Sequence, residues 1–226
     1  MEPSKIAWSH SSLKAYEDCP HKYYREKVTK EVKFVETDAI KLGNDVHSAI
    51  ELGVLSNTKP PSALVSQFPE IPKLIEWART LPNVKVERQL AFTSDLTPVA
   101  WFGRGVWARC KIDVSATFGE GVGMAIDWKT GKFWGKDGQA ELTALAMFWD
   151  NPELTEIHTV WYYMKGDTKK VPDSFKRSDM PRLMERPTKV LQDISRSYKT
   201  ETWRKTPGKG CRFCDVLDCE FRGRNL

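Results

Sequence analysis

Residues 125–148 read AIDWKTGKFWGKDGQAELTALAMF, a short apolar strand followed closely by a glutamine-led helix. Side chains alternate between the two faces of a strand, so Asp127 and Lys129 project from the same face. The apolar face of this strand holds Val122, Met124, Ile126 and Trp128. An ordinary ion pair at a sheet edge explains the acid and the ammonium as well as catalysis does. The rest of the chain has to decide between the two interpretations.

The composition is that of a globular protein. The 226 residues are 40% hydrophobic and include 9 tryptophans, which is enough for the core of one substantial domain. No apolar run approaches the ~18 residues of a membrane-spanning helix, and the N-terminal MEPSKIAWSH lacks the apolar segment of a secretory signal. We therefore expect a soluble protein without a membrane partner, located in the cytoplasm of a bacterium or phage-infected host, or in an organelle.

Basic residues exceed acidic residues by a small margin, 35 against 30, for a net charge of +5. The surplus is mild for a nucleic-acid-binding protein, but basic and aromatic residues are mixed in stretches 21–30, 199–212 and 221–226. Such stretches suit phosphate contacts and base stacking, although a solvated surface explains each of them equally well. The candidate DNA-contacting cations are Arg104, Arg109, Lys132, Lys205 and Arg212.

The spacing of apolar residues changes from a helical period to a period of two near residue 84. Helices are predicted over LKAYEDC, 38–52, 62–80, 136–149 and 178–201. Ser9, Ser11 and Ser12 are N-cap candidates for the first, and Gly53 is the predicted end of the second. Prolines are predicted to break the third at 69 and 72 and to kink the last at 187. Strands are predicted over 84–92, 105–115, 122–130 and 158–165. We expect an α/β fold in which an antiparallel meander, a crossover helix and a returning strand form a mixed sheet.

Alternation also assigns faces in the two strands that precede residue 122. It places Arg88 on the same face as Val86 in the first of them. In the second it places Cys110 and Val114 on an apolar face, opposite Asp113. Cys110 is therefore predicted to be a core thiol.

Asp113 and Asp127 lie on consecutive predicted strands, each on the more polar face. If the strands pair as a hairpin, the two carboxylates converge on one cation, with Lys129 one pleat away. Two carboxylates and water suit Mg²⁺ or Mn²⁺, and an ammonium can position an attacking water or stabilise charge that develops on a phosphate. This arrangement hydrolyses phosphodiesters, and the alternative is a hairpin with unrelated surface charges.

Asp113 followed by AIDWKTGK at 125–132 resembles the signature of the PD-(D/E)XK nuclease superfamily in its RecB-like form, whose second strand reads DxKTGK. SHSSLKAYEDCPHKYYREKV at 9–28 is similar to the opening motif of RecB-like, CRISPR-adaptation and AddB-type nucleases. LGNDVHSAIE at 42–51 is similar to their GxxxHxxxE helix. The resemblance covers most of the chain.

The resemblance implies a restriction-endonuclease-like core, which is a mixed central sheet flanked by helices. A single nuclease domain would occupy 1–226, with its core at 37–202. The N-terminal helices and the C-terminal tail, 1–36 and 203–226, would be tied together by a metal centre.

The resemblance also implies roles for three further polar residues. His47 would join the two aspartates as a metal ligand, although a lone helical histidine is more often a core or surface residue. Glu87 would bind a second metal or orient water, and an ordinary strand glutamate is an equal alternative. Gln139 begins a helix where the family has QxxxY and would bind the substrate strand or the lysine, whereas a polar helix start is the alternative. The fifth position of that motif is Thr143, so the tyrosine's role is unfilled.

Five cysteines in a chain without a secretory signal make a disulfide framework unexpected. Cys211, Cys214 and Cys219 are close in sequence and need a fourth ligand to close a zinc site or an iron–sulfur cluster. In the related nucleases an N-terminal cysteine followed by proline joins three C-terminal cysteines around a 4Fe–4S cluster, which implies Cys19 as that ligand. The last spacer is one residue shorter here than in the family. Structural Zn²⁺ is the alternative, and no metal at all is the third.

Together the motifs imply a Mg²⁺- or Mn²⁺-dependent DNA exonuclease that acts on single strands or DNA ends in replication, recombination or genome processing. No helicase motif such as GxxxxGK[ST] is present, so the chain would act alone or with replication or recombination proteins. The alternatives are a non-catalytic DNA-binding subunit with the same fold and an RNA-processing nuclease. The first alternative is disfavoured by the presence of Asp113, Asp127 and Lys129, because DNA binding alone does not require these three residues.

Overall fold

The computed structural model describes residues 7–33, 35–165 and 169–224. The chain forms two compact units. The first combines the described parts of Met1–Val35 and Met184–Leu226, and the second is Glu36–Leu183. Among the described residues, no helix is both long and apolar enough to cross a bilayer.

The helices and strands are as follows. The helices are α1 (His10–Asp18), α2 (Pro20–Tyr23), α3 (Asp38–Ser56), α4 (Ser62–Gln67), α5 (Ile71–Arg79), α6 (Gln139–Asp150), α7 (Met180–Leu183) and α8 (Glu185–Thr200). The strands are β1 (Lys85–Phe92), β2 (Pro98–Val99), β3 (Ala108–Thr117), β4 (Val122–Lys129), β5 (Glu156–Tyr163) and β6 (Lys169–Lys176). A π-helical turn, Tyr24–Val28, extends α2.

The second unit is built on a six-stranded sheet in the order β2-β1-β3-β4-β5-β6. β4 and β5 run parallel and are connected through α6, whereas every other neighbouring pair is antiparallel. The predicted α/β fold with a mixed sheet flanked by helices is therefore confirmed. The sequence patterns do not predict β6, because this edge strand carries lysines and Pro172 where an inner strand would alternate.

One face of the sheet packs against α3 and α5. Val114 of β3 and Ile126 and Trp128 of β4 lie in that core, and Trp128 is only 2% exposed. The helices contribute Val46, Ile50, Ile71, Leu74 and Ile75 to the same core. The apolar face predicted for β4 is thus the face that packs on these two helices.

The crossover helix α6 covers the other face. All of its residues from Leu142 to Trp149 are buried, so α6 is almost wholly apolar, as expected of a helix inside a core. Beyond its C-terminal end, the Arg177 guanidinium donates hydrogen bonds to the main-chain oxygens of Phe148, Asn151 and Leu154. In this way the cation satisfies the carbonyl of Phe148 in the last turn of α6 and complements the negative end of the helix dipole.

The first unit is held together by an aromatic cluster around Trp203. The rings of Tyr23 and Tyr24 stack on Trp203 at centroid distances of 6.1 and 4.9 Å, and Tyr198 meets it edge-on at 4.9 Å. The Tyr16 hydroxyl lies 2.7 Å from the hydroxyl of Ser197. These contacts join α1 and α2 to α8, although most of the chain lies between them in sequence.

Serine and proline residues set several helix boundaries. α1 begins after Ser9, and the side chains of Ser9 and Ser12 bond each other's main-chain N–H groups in a capping box. The chain is interrupted near Pro69, as predicted, but Pro72 lies in the first turn of α5 and does not break it. Pro187 lies in the first turn of α8, where a missing N–H costs no helical bond. The helix predicted over 178–201 is interrupted at Met184, between α7 and α8, and not kinked at Pro187 itself.

The predicted end of the second helix at Gly53 is also wrong. α3 continues to Ser56 and ends at Asn57, whose backbone is left-handed with φ 54°. Gly53 instead lies where α3 approaches α5, because a Cβ atom at this position would be 2.5 Å from Cδ1 of Ile75. Here the glycine permits close helix packing and does not terminate a helix.

We expect Gly53→Ala to lower the free energy of unfolding by about 1–3 kcal/mol, because the added methyl group overpacks the contact with Ile75. Thermal denaturation would show a melting temperature several degrees below that of the wild type. The matched control is Gly43→Ala in the same helix, where the nearest atom to the new Cβ is Thr130 Oγ1 at 3.6 Å. That variant should be as stable as the wild type or slightly more stable, since alanine favours a helix interior. If Ile75→Ala costs as much in the Gly53→Ala background as in the wild type, the two positions do not clash.

Candidate active site

The peptide of Trp128 connects two elements of the candidate site. Its N–H donates to Oδ2 of Asp113 across the β3–β4 boundary, at 2.8 Å. Its carbonyl oxygen accepts a hydrogen bond from Nε2 of His47 on α3, at 3.0 Å. The strand that carries Asp127 and Lys129 therefore also orients the carboxylate of Asp113 and the imidazole of His47.

His47, Glu87 and Asp113 form a group that we call the donor set. Their potential ligand atoms all lie within 4.8 Å of one another. Nδ1 of His47 is 3.3 Å from Oε1 of Glu87 and 3.2 Å from Oδ1 of Asp113. Because Nε2 donates its hydrogen to the Trp128 carbonyl, Nδ1 is the nitrogen that faces the carboxylates. The donor set can hold a divalent metal ion.

The electrostatics of the donor set follow from its partial burial. Burial lowers the pKa of His47, but hydrogen bonds and charges from Asp113 and Glu87 outweigh burial and raise that pKa to about 10. Burial raises the pKa of Glu87, yet its contacts with His47 and Lys111 shift that pKa below its usual value. In the absence of a metal ion the imidazole therefore carries a proton at Nδ1, where a cation would bind. Metal binding at this position would release that proton.

Glu87 has a backbone conformation that is unusual for a residue within a strand. Its φ is 49°, in the left-handed region that residues with a side chain seldom occupy. The regular pairs Val86↔Val114 and Arg88↔Ile112 flank it on either side. The side chain of Glu87 thereby contacts both His47 and Lys111. This strained position lies at one of the three donor residues.

The unusual conformation of Glu87 overturns two predictions about faces. Val86 packs against the core on α3 and α5, but Arg88 binds Asp150 at the end of α6, so the two do not share a face. On β3, Val114 lies in that same core, whereas Sγ of Cys110 lies 4.0 Å from a hydroxyl of α6. Alternation fails where Glu87, with its left-handed backbone, and Asp113 are left out of the regular pairing, between Val86↔Val114 and Arg88↔Ile112. Cys110 is half-buried, and burial raises the pKa of its thiol.

Asp127, Lys129 and Gln139 form a closed arrangement that we call the lysine triangle. Nζ of Lys129 lies 2.7 Å from Oδ2 of Asp127 and donates to Oε1 of Gln139 at 2.9 Å. Nε2 of Gln139 in turn donates to Oδ1 of Asp127 at 2.8 Å. Gln139 is the first residue of α6, so the buried crossover helix positions the amide that completes the triangle.

The lysine triangle is largely shielded from water. Burial, followed by the nearby charge of Asp113, raises the pKa of Asp127 to about 7, although Lys129 opposes both effects. Burial lowers the pKa of Lys129, but the attraction of Asp127 outweighs it and shifts that pKa above its usual value. Lys129 is therefore an ammonium group at neutral pH. Asp127 is not one of the donor set, but it is close enough to Asp113 for their charges to interact.

The sequence patterns did not predict two residues that contact the candidate site, Lys111 and Tyr163. Lys111 forms an ion pair with Glu87. Tyr163 of β5 lies beside Lys129 in the parallel register, and burial raises the pKa of its hydroxyl while the lysine lowers it. Thr143 occupies the position of the family's tyrosine and is buried one turn after Gln139. Only the register of a parallel pair, which the sequence does not display, brings Tyr163 to this place.

The candidate DNA-contacting cations are divided between the two units. Arg104 and Lys132 are exposed side chains of the second unit. Arg109, in the same unit, donates from Nε to the Trp101 carbonyl and lies over that residue's ring at 5.4 Å. In the first unit, the Lys205 ammonium is paired with Glu220 at 2.6 Å, and Arg212 lies over the ring of Phe213 at 5.3 Å. Their part in binding DNA stays a prediction.

The four cysteines proposed as metal ligands all belong to the first unit. They are half-buried free thiols, namely Cys19, Cys211, Cys214 and Cys219. The tail that carries three of them is joined to the segment after α2 by an ion pair of 3.0 Å between Arg25 and Asp218. Across the described part of the chain, no three of these thiols lie within 4.8 Å of one another.

Comparison with known proteins agrees with this geometry. The family model of the PD-(D/E)XK nuclease superfamily matches residues 7–219. A solved structure from Eubacterium rectale, named "Putative exonuclease", has a TM-score of 0.57 at 15% identity, covering 97% of this chain and 89% of that chain. The solved structure of SSO0001 has a TM-score of 0.49 at 12% identity, covering 96% of this chain and 88% of that chain. Curated proteins give no match to the sequence.

The family match spans nearly the whole chain and includes every residue of the donor set and of the lysine triangle. The likeness to the Eubacterium rectale structure supports the same fold over the same length. A mixed sheet that presents two aspartates and a lysine on neighbouring strands is the arrangement that the motifs implied. The chain belongs to the PD-(D/E)XK nuclease superfamily, with its restriction-endonuclease-like fold.

Proposed function

We propose that the protein is a metal-dependent deoxyribonuclease that hydrolyses phosphodiester bonds of single-stranded DNA or of DNA ends, as an exonuclease. The observation that carries this proposal is the meeting of the donor set and the lysine triangle around the peptide of Trp128. The donor set offers ligands for a cation, and the triangle holds an ammonium group nearby. A bound cation and an ammonium group can both promote cleavage of a phosphodiester, whereas binding alone requires neither.

The chemistry of the donor set fits Mg²⁺ or Mn²⁺. It provides carboxylate oxygens, which both ions prefer, together with one imidazole nitrogen. The hydrogen bond from Nε2 of His47 to Trp128 leaves Nδ1 in the orientation that a ligand nitrogen needs. A bound cation would lower the pKa of a water molecule and stabilise negative charge on the phosphate. We assign Asp127 as a further ligand, because its charge already interacts with that of Asp113.

Lys129 supplies a positive charge in addition to that of a bound cation. An ammonium group has three N–H donors, and Asp127 and Gln139 accept from two of them. The third can donate to a phosphate oxygen or to the attacking water, and the two fixed contacts determine its direction. Charge stabilisation of this kind acts on the transition state without further reorganisation of the side chain. We assign Glu87, which contacts His47 and Lys111, to orienting water or to binding a second cation.

DNA with a free end is the proposed substrate. Exposed cations such as Arg104 and Lys132 lie in the unit that holds the site and can neutralise backbone phosphates. The name of the Eubacterium rectale neighbour supports exonuclease action. We propose replication or recombination proteins as partners and the cytoplasm as the location, with both units forming a single nuclease domain.

A non-catalytic DNA-binding subunit of the same fold is disfavoured by the burial of Asp113 and Asp127. Both carboxylates are less than 10% exposed, 7% and 8%, and buried charges reduce stability unless a function retains them. An RNA-processing nuclease would use the same site. The geometry therefore does not distinguish it from a deoxyribonuclease, and only a comparison of substrates does.

We also propose a 4Fe–4S cluster, held by Cys19, Cys211, Cys214 and Cys219. The resemblance supports the cluster, because the related nucleases hold a 4Fe–4S cluster with one N-terminal and three C-terminal cysteines. Structural Zn²⁺ is the alternative, since four thiolates also complete a tetrahedral zinc site.

Manganese should stabilise the wild-type protein through the donor set. A protein with one site gains about 2.7 kcal/mol at a ligand concentration of 100 times Kd, so its melting temperature would rise by several degrees. His47→Ala and Glu87→Gln should lose most of this rise, and His47→Ala should raise the Mn²⁺ concentration needed for half-maximal activity. The control is His158→Ala, which changes a half-buried histidine of β5 that pairs with Glu156. A wild-type response in His47→Ala would remove His47 from the site.

Substitution of the acids and of the lysine should stop cleavage and leave DNA binding intact. Asp113→Asn and Asp127→Asn keep the shape of each side chain but remove a metal ligand, so cleavage should fall to background. Lys129→Met should lose about 10²-fold or more in rate. Labelled linear and circular single strands, duplex and RNA, each with Mg²⁺, Mn²⁺ or EDTA, provide the measurement, and Asp193→Asn on α8 is the carboxylate control. Mg²⁺-dependent cleavage by both asparagine variants would contradict the assignment, and preferential cleavage of RNA would favour the RNA-processing alternative.

Protein purified without oxygen should be brown and contain iron and sulfide in equal amounts. Cys19→Ala should bleach the colour and lower the melting temperature, because ligand bonds would contribute to the order of the C-terminal tail. Cys110→Ala, which changes a cysteine of the other unit, should keep the colour. Colourless protein with one zinc per chain would replace the cluster by zinc, and protein free of both metals would refute the centre.

A further inference from the structure

The segment 130–138 between β4 and α6 forms a loop that is closed at its base by the lysine triangle. Nζ of Lys129, just before the loop, donates to Oε1 of Gln139, just after it, at 2.9 Å. Trp134 lies at the midpoint of the loop and is 90% exposed, the highest value among the large hydrophobic side chains that the structure describes. A tryptophan this exposed needs an explanation, because hydration of its ring costs free energy that burial would recover.

Contacts with β5 and β6 anchor the loop on both sides of this tryptophan. The ring of Phe133 meets that of Tyr163 edge-on at 5.2 Å, and Nζ of Lys169 lies 3.7 Å from its centroid. Beyond Trp134, the Lys136 ammonium binds Asp173 at 2.6 Å. Phe133 therefore faces the sheet, and the next side chain is presented outward from a supported position.

Two further lysines lie on or beside this loop. Lys132 precedes Trp134 and is exposed, and Nζ of Lys169 lies over the ring of the adjacent Phe133, whereas Lys136 is paired with Asp173. Ammonium groups around an exposed aromatic ring suit a single nucleic-acid strand, since cations neutralise phosphates and the ring stacks on a base. The neighbouring Lys129 belongs to the proposed catalytic machinery, so a strand held here would lie next to the site of cleavage.

We propose that Trp134 stacks on an unpaired base of the substrate strand and thereby selects single-stranded DNA. The inference rests on the proposed nuclease function and specifies how the same site recognises its substrate. Trp134 follows Lys129 by five positions, and five extended residues span at most about 18 Å, so the stacked base lies within a few nucleotides of the scissile phosphate. In a duplex the faces of inner bases are covered by their neighbours, so the ring finds a free face only in a single strand or at a frayed end.

The test uses a fluorescent single-stranded 12-mer and a series of the same oligonucleotide with one abasic position moved along it. Binding is measured by anisotropy in EDTA, which prevents cleavage. Wild-type protein should bind about tenfold more weakly when the abasic position is the nucleotide whose base would stack on Trp134, as expected for the loss of one stacked base. Trp134→Ala should bind the intact strand about tenfold more weakly and show no such position, whereas Trp134→Phe should retain most of the effect. Trp77→Ala on α5, a tryptophan that is 41% exposed, is the control and should behave as the wild type.

The outcomes separate this inference from the proposed function. Wild-type affinity in Trp134→Ala, or an unchanged response to the same abasic position, would refute stacking while leaving cleavage by the wild type intact. Wild-type protein that neither binds nor cleaves any DNA would refute both. Trp134-dependent binding to vesicles containing anionic lipid, without any response to abasic positions, would identify the ring as a membrane contact and refute its role in DNA binding. Because Trp134 makes little contact with the core, Trp134→Ala should melt at the wild-type temperature, which excludes misfolding as a cause.

Discussion

The peptide of Trp128 is the constraint on which the site depends. Its indole is buried between the sheet and the helices α3 and α5, and its N–H and carbonyl groups orient Asp113 and His47. The residues on either side of it, Asp127 and Lys129, belong to the lysine triangle. Packing of one side chain in the core thus determines the position of four polar groups on two strands and one helix. Packing of Trp128 on one face of β4 therefore fixes the positions of the polar side chains on the other face.

The site balances negative charge with cations of its own. Glu87, Asp113 and Asp127 lie close together with limited access to water, and the protonated His47 and the Lys129 ammonium lie among them. Without these cations, the mutual repulsion and burial of the carboxylates would reduce the free energy of unfolding substantially. A divalent ion would take over the charge that the imidazolium supplies.

The sequence predicted the parts of this protein that follow a simple period. Alternation on β4 placed Asp127 and Lys129 on one face and Trp128 on the other, as the structure has them. The same rule failed beside Glu87, because a single left-handed residue reverses the faces that follow it. Tyr163 was missed because its place beside Lys129 depends on the register of two strands joined by a whole helix.

Local sequence also misled where a residue's role depends on a distant partner. Glycine commonly ends a helix, so Gly53 was predicted to be a helix end. Only the close approach of Ile75 on α5 shows that this glycine allows the two helices to pack together. The role of Cys19 was inferred from resemblance, since nothing near it in sequence suggests three partners at the other end of the chain.

The left-handed backbone at Glu87 has a consequence for stability at this position. Holding a side chain in that region costs about 1–2 kcal/mol, and glycine would remove the cost. A change from glutamate to glycine would also remove the carboxylate that contacts His47 and Lys111. Backbone strain and charge pairing therefore act in opposite directions at this one residue, and a variant gains backbone freedom only by leaving two cationic side chains without this acceptor.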